Sequence, residues 1–115
     1  MADRVIHFEV LGRDQVKLQR FYSDLFGWTF NTDNQDGYGI APGDQAGIAV
    51  GVGTSRDGSG GGVTGYVAVS DIDAAIAKAE RLGGRVVMPK MSPGPDATIA
   101  LVADPEGHVI GLTQA

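Results

Sequence analysis

A glycine-rich stretch, Gly53 to Gly62, lies near the middle of this 115-residue chain and separates two halves that read alike. Each half runs strand, amphipathic helix, three strands. A repeat of this kind constrains the fold more than any single motif, because each βαβββ unit leaves a sheet face that needs a partner. The simplest solution is an α+β fold in which two modules of mixed and antiparallel sheet pair into a shared cup. This predicts one domain over residues 1–115, with module one at about 1–53, a flexible connector at 54–63 and module two at about 64–115.

Local patterns support the repeat. Val5 to Val10 alternates with period two, so Val5, His7 and Glu9 share one face and Ile6, Phe8 and Val10 the other. Leu18, Phe21, Tyr22 and Leu25 then recur at helical spacing, with Asp14 as N-cap and Gly27 as the stop. Trp28–Asn31, Tyr38–Ala41 and Gly47–Val52 are the strands expected next, with a turn at Pro42-Gly43-Asp44. In the second half, Thr64–Val69 reads as a strand, and Ser70-Asp71-Ile72-Asp73 as a capping box ahead of a helix ending at Gly83-Gly84. Arg85–Met88, Thr98–Val102 and Val109–Thr113 complete it, split by Ser92-Pro93-Gly94-Pro95-Asp96 and Asp104-Pro105-Glu106-Gly107.

Charge and composition narrow the chemistry. Nine basic residues against fourteen acidic ones give a net charge of −5, which argues against nucleic acid as a partner. The absence of cysteine removes thiol nucleophiles, thiolate metal sites and disulfides. Met1-Ala2-Asp3-Arg4 has no signal-peptide character and no apolar run is long enough for a membrane helix, so no membrane partner and a cytoplasmic location are expected. Gly58 to Gly62 lacks the Lys-Ser/Thr that a phosphate loop requires.

Five segments in order, His7-Phe8-Glu9-Val10, Arg20 to Trp28, Val69 to Ala75, Gly83 to Val87 and Asp104 to Leu112, resemble the vicinal oxygen chelate superfamily. That superfamily holds glyoxalase I, extradiol dioxygenases, fosfomycin- and bleomycin-resistance proteins and methylmalonyl-CoA epimerase. The resemblance spans nearly the whole chain and implies the two-module cup and a homodimer. It also implies four metal-ligand positions, one from the first and one from the last strand of each module. Those positions here hold His7, Ala49, Thr64 and Gly111, and only His7 is a good ligand for a transition metal. A catalytic zinc takes three protein ligands, so the site reads as degenerate. No cofactor is expected, with a divalent metal at His7 kept as the alternative.

His7 and Glu9 are the sharpest candidates, because a titratable pair on a concave face suits ligand binding or acid–base work; the competing reading is that they satisfy each other in a half-buried strand. Trp28, Tyr38, Tyr66 and Met88 are the further candidate ligand-binding residues, as stacking rings, a phenolic donor and an adaptable rim. Phe21 and Phe26 are expected in the core, His108, Asp104 and Glu106 in a turn, and Asp33, Asp36 and Asp44 in solvated loops. The leading expectation is a glyoxalase/bleomycin-resistance-like protein that binds a small molecule. The alternative is a metal-assisted lyase, isomerase or epimerase of a small carbonyl compound, with Glu9 as catalytic base and His7 as metal ligand or electrophile. Whether the protein is an enzyme stays open at this point.

Overall fold

The computed structural model describes residues 2–55 and 61–115. They fall into two compact units, one of residues 7–64 and one of residues 65–115 with the N-terminal residues up to Ile6.

The first unit takes in most of β1 (Arg4–Gly12), then α1 (Gln15–Phe26), β2 (Gly39–Ala41), α2 (Gly43–Ala46) and β3 (Ala49–Thr54). β3 is the middle strand, parallel to β1 with His7 opposite Ala49 and Glu9 opposite Gly51, and antiparallel to β2. Asp14 caps α1 by accepting from the Lys17 amide at 3.1 Å, and Gly27 ends it in the left-handed region at φ 77°. Val10, Ala41, Val50 and Val52 form the buried core, against which Leu18, Tyr22, Trp28 and Phe30 pack.

Three expectations change in this unit. The strand at Trp28–Asn31 is reduced to a single bridge between Asn31 and Ile40, because side-chain bonds of Asn31 and Asn34 turn the chain immediately afterwards. The turn at Pro42-Gly43-Asp44 opens into the one-turn helix α2. Phe21 and Phe26, expected in the core, are 56% and 55% exposed, since of the apolar residues of the helix it is Leu18 and Tyr22 that pack against the buried core.

The second unit follows the same path: β4 (Gly62–Val69), α3 (Ile72–Arg81), β5 (Arg85–Gly94), β6 (Ala97–Ala103) and β7 (Val109–Gln114). Its order is β4-β7-β6-β5, with β4 parallel to β7 and the remaining pairs antiparallel. In both units the first strand lies parallel to the last, and the last antiparallel to the one before it. Val69, Ile72, Ala100, Val102 and Leu112 make its core. The N-cap of α3 is Asp71, not Ser70, so the expected capping box does not form. The Ile72 amide instead donates to Gln114 Oε1 at 3.0 Å, while Gln114 Nε2 donates to the Ser70 carbonyl. β5 runs through the expected turn as far as Gly94, with register shifts that its prolines tolerate at the end of the strand order.

The two ends of the connector expected at 54–63 are described. β3 includes Thr54, the Ser55 amide donates to the Gly12 carbonyl at 2.8 Å, and β4 begins at Gly62. Residues 56–60, the centre of the expected connector, lie outside the described residues. Among the described residues, no helix is long and apolar enough to cross a membrane.

Candidate functional site

Period-two geometry on β1 puts His7, Glu9 and Leu11 on the face opposite Val10, and the parallel register sets Ala49, Gly51 and Gly53 of β3 beside them. The even-numbered residues Val50 and Val52 point into the helix-side core. The odd-numbered face is therefore where polar chemistry collects. Glu9 is buried there, 5% exposed, and His7 is half-buried.

Tyr38 joins the two. Its phenol donates to Glu9 Oε2 at 3.0 Å and lies 3.0 Å from His7 Nε2. A phenol carries one proton, so with that proton on the Glu9 side its oxygen accepts from His7, which makes the imidazole the Nε2–H tautomer. Burial lowers the His7 pKa, against a smaller upward pull from the Glu9 carboxylate, and so favours the neutral imidazole, whose Nε2–H form makes this bond. The chain of donors runs His7 to Tyr38 to Glu9.

The backbone of Tyr38 is fixed as well as its hydroxyl. Asn34 Oδ1 accepts the Tyr38 amide at 3.0 Å and Asn34 Nδ2 donates to the Tyr38 carbonyl at 2.7 Å. From α1, Gln15 donates to the Asp36 carbonyl at 2.7 Å. Gln19 donates to the carbonyls of Gly37 and Val52 at 3.0 and 2.9 Å. Two glutamines that the helical pattern assigns merely to a polar face thus tie the loop before Tyr38 to the helix and to β3.

The remaining candidates are placed elsewhere. Trp28 lies on the helix side of the sheet, stacked with Tyr22, tilted against Phe26 and edge-on to Phe30, and so shares no face with Glu9. Tyr66 and Met88 belong to the other unit, where Tyr66 is 3% exposed and Met88 pairs with Leu101 at half burial. His108 sits on the exposed hairpin, 3.1 Å from Asp104. Asp104 also accepts the amides of His108 and Glu106, and these bonds, the His108 amide foremost, hold its carboxyl below its ordinary pKa.

The donor set fits a bound metal poorly. Of the four positions matched to family ligands, Ala49 and Gly111 carry no side-chain donor atom. The ring of Tyr66 fills the space above Gly111, where any side chain would overlap its Cδ2. His7 Nε2 is engaged by a phenol. Among the described residues no group of three or more His, Cys, Asp or Glu could hold a metal ion.

Comparison with known proteins agrees with the fold. The family model described as "Glyoxalase-like domain" matches residues 8–113. The curated "Putative glyoxylase CFP32" of Mycobacterium bovis is 31% identical over 110 residues, 89% of this chain and 42% of that protein, and its Mycobacterium tuberculosis counterpart matches equally. The chain thus spans about two fifths of the length of the curated relatives it matches. Among solved structures, methylmalonyl-CoA epimerase from M. tuberculosis aligns with TM-score 0.69 at 18% identity, covering 96% of this chain and 86% of that one. A glyoxalase/bleomycin resistance protein/dioxygenase superfamily member from Vibrio splendidus aligns with TM-score 0.65 at 21% identity, covering 98% of both. At these identities the structural likeness is one of fold.

Proposed function

This chain belongs to the glyoxalase-like domain family, and from that premise we propose that it binds a small organic molecule at the His7–Tyr38–Glu9 face without a resident metal. The observation that carries the reading is the Tyr38 hydroxyl, bonded at 3.0 Å to both His7 and Glu9. A ligand with a hydroxyl, amine or carbonyl can exchange with or extend this chain of hydrogen bonds, which a purely apolar sheet face could not offer. The poor donors at Ala49, Thr64 and Gly111 support the metal-free part of the reading.

A second reading keeps the same residues but makes the protein a lyase, isomerase or epimerase of a small carbonyl compound. A buried carboxylate at Glu9 with a phenol beside it favours this reading. Glu9 would take a proton next to the carbonyl, and Tyr38 would have to turn its hydroxyl from Glu9 to the substrate oxygen. No step in either reading passes through a metal.

Calorimetric titration with a panel of small polar compounds, cationic ones included, tests the first reading. It expects a compound that binds wild type and binds Tyr38→Phe about tenfold more weakly, the loss of one hydrogen bond. A panel without binders, together with turnover of a carbonyl substrate that Glu9→Gln abolishes, would sink it in favour of the second. The same proposal includes a homodimer, supported by the apolar residues Phe21, Leu25 and Phe26 left exposed on α1, and action in the cytoplasm, as the cysteine-free sequence permits.

A further inference from the structure

Tyr38 precedes β2, whereas the groups its hydroxyl meets are on β1, and β3 lies between those two strands. The ring therefore has to cross β3. It does so over Gly51 and Gly53: a methyl group at Gly51 would overlap the Tyr38 hydroxyl and Cζ, and one at Gly53 would lie 2.5 Å from Cδ1. Neither glycine has a positive φ, so the backbone at both positions is one that any L residue adopts. Conformation does not call for glycine here; space does. β3 reads Ala49-Val50-Gly51-Val52-Gly53, with valines towards the core and glycines only beneath the ring. Glycine weakens a strand interior, so the pattern gives up local stability for a bare surface.

We propose that Gly51 is a positioning residue whose missing side chain lets the Tyr38 phenol lie between His7 and Glu9. The inference rests on the reading of that face as the binding site and adds what fixes its central group. The loop cannot simply slide to make room for a methyl, because the Tyr38 backbone is held by Asn34 on both its amide and its carbonyl, and the preceding Gly37 carbonyl by Gln19. A side chain at position 51 therefore moves the hydroxyl and not the loop.

The test is nuclear magnetic resonance on the full chain, with the imidazole nitrogens labelled in histidine and Cζ labelled in tyrosine. Two histidines and three tyrosines make assignment by substitution direct. In wild type His7 is expected to show the Nε2–H tautomer and Tyr38 Cζ the shift of a phenol donating to a carboxylate. Gly51→Ala is expected to lose both signatures, and Tyr38→Phe, which keeps the glycine, to lose the His7 signature in the same way. Retention of the wild-type tautomer and Cζ shift in Gly51→Ala would overturn the proposal. If Gly51→Ala does not fold, the pair Tyr38→Ala with Gly51→Ala decides. Melting like Tyr38→Ala alone supports the role, and failure of the double variant to fold assigns Gly51 to the backbone and overturns it. No ligand enters these measurements, so a failed binding screen would count against the functional reading and leave this one standing.

Discussion

Burial acts on the His7 imidazole more strongly than the neighbouring Glu9 carboxylate does, and the outcome is a lowered pKa. The folded protein then binds fewer protons at this site than the unfolded chain, whose histidine titrates at about 6.5. Its contribution to stability is complete above that pH and is lost as pH falls below it towards the folded-state value. Denaturant unfolding at pH 5 and pH 7.5 should show a larger acid loss for wild type than for His7→Gln; equal losses would remove His7 as the cause. At the same site Tyr38→Phe leaves a buried acceptor on Glu9 one donor short, and about 1–3 kcal/mol of unfolding free energy should go with it. Period two suffices to bring His7 and Glu9 to one face. The bond through Tyr38 spans 29 and 31 residues of chain and depends on the β3 register, which no local pattern carries. The available signal was the Gly51-x-Gly53 spacing, on the same parity as Ala49.

Capping and core residues decide the elements. Ile72 is fully buried at the start of α3 and its amide is held by Gln114. Ile72→Ala should cost about 2–5 kcal/mol, as truncation of a buried aliphatic side chain does, and Asp71→Ala about 1 kcal/mol for a lost N-cap. Thermal melts of the two variants check the order; an Asp71→Ala loss as large as that of Ile72→Ala would contradict it. The two longer helices were legible from spacing and stop signals, since Asp14 and Gly27 act locally, whereas the cap of α3 falls one residue later than expected, on Asp71. Phe21 and Phe26 were not, because helical periodicity marks an apolar stripe without stating how much of it the sheet beneath can cover. Trp28 follows the same logic: its ring finds Tyr22, Phe26 and Phe30 on the helix side, and a strand assignment alone cannot tell which face will hold an aromatic cluster.

For the molecule as a whole, the repeat was the legible part, because each βαβββ unit repeats the same strand pairing from its own local signals. The association state is decided by surface instead. If the exposed apolar side of α1 forms the homodimer contact, Leu25→Glu should shift sedimentation from dimer to monomer, and an unchanged dimer would place the contact elsewhere. On the proposed reading a phenol, and not a metal ion, joins the polar groups of this face. Calorimetric titration of chelator-treated, untagged protein with zinc, nickel, manganese and iron(II), repeated on His7→Ala, tests it most directly. No stoichiometric binding is expected at micromolar metal in either protein; near-stoichiometric binding in wild type that His7→Ala abolishes would overturn the metal-free reading.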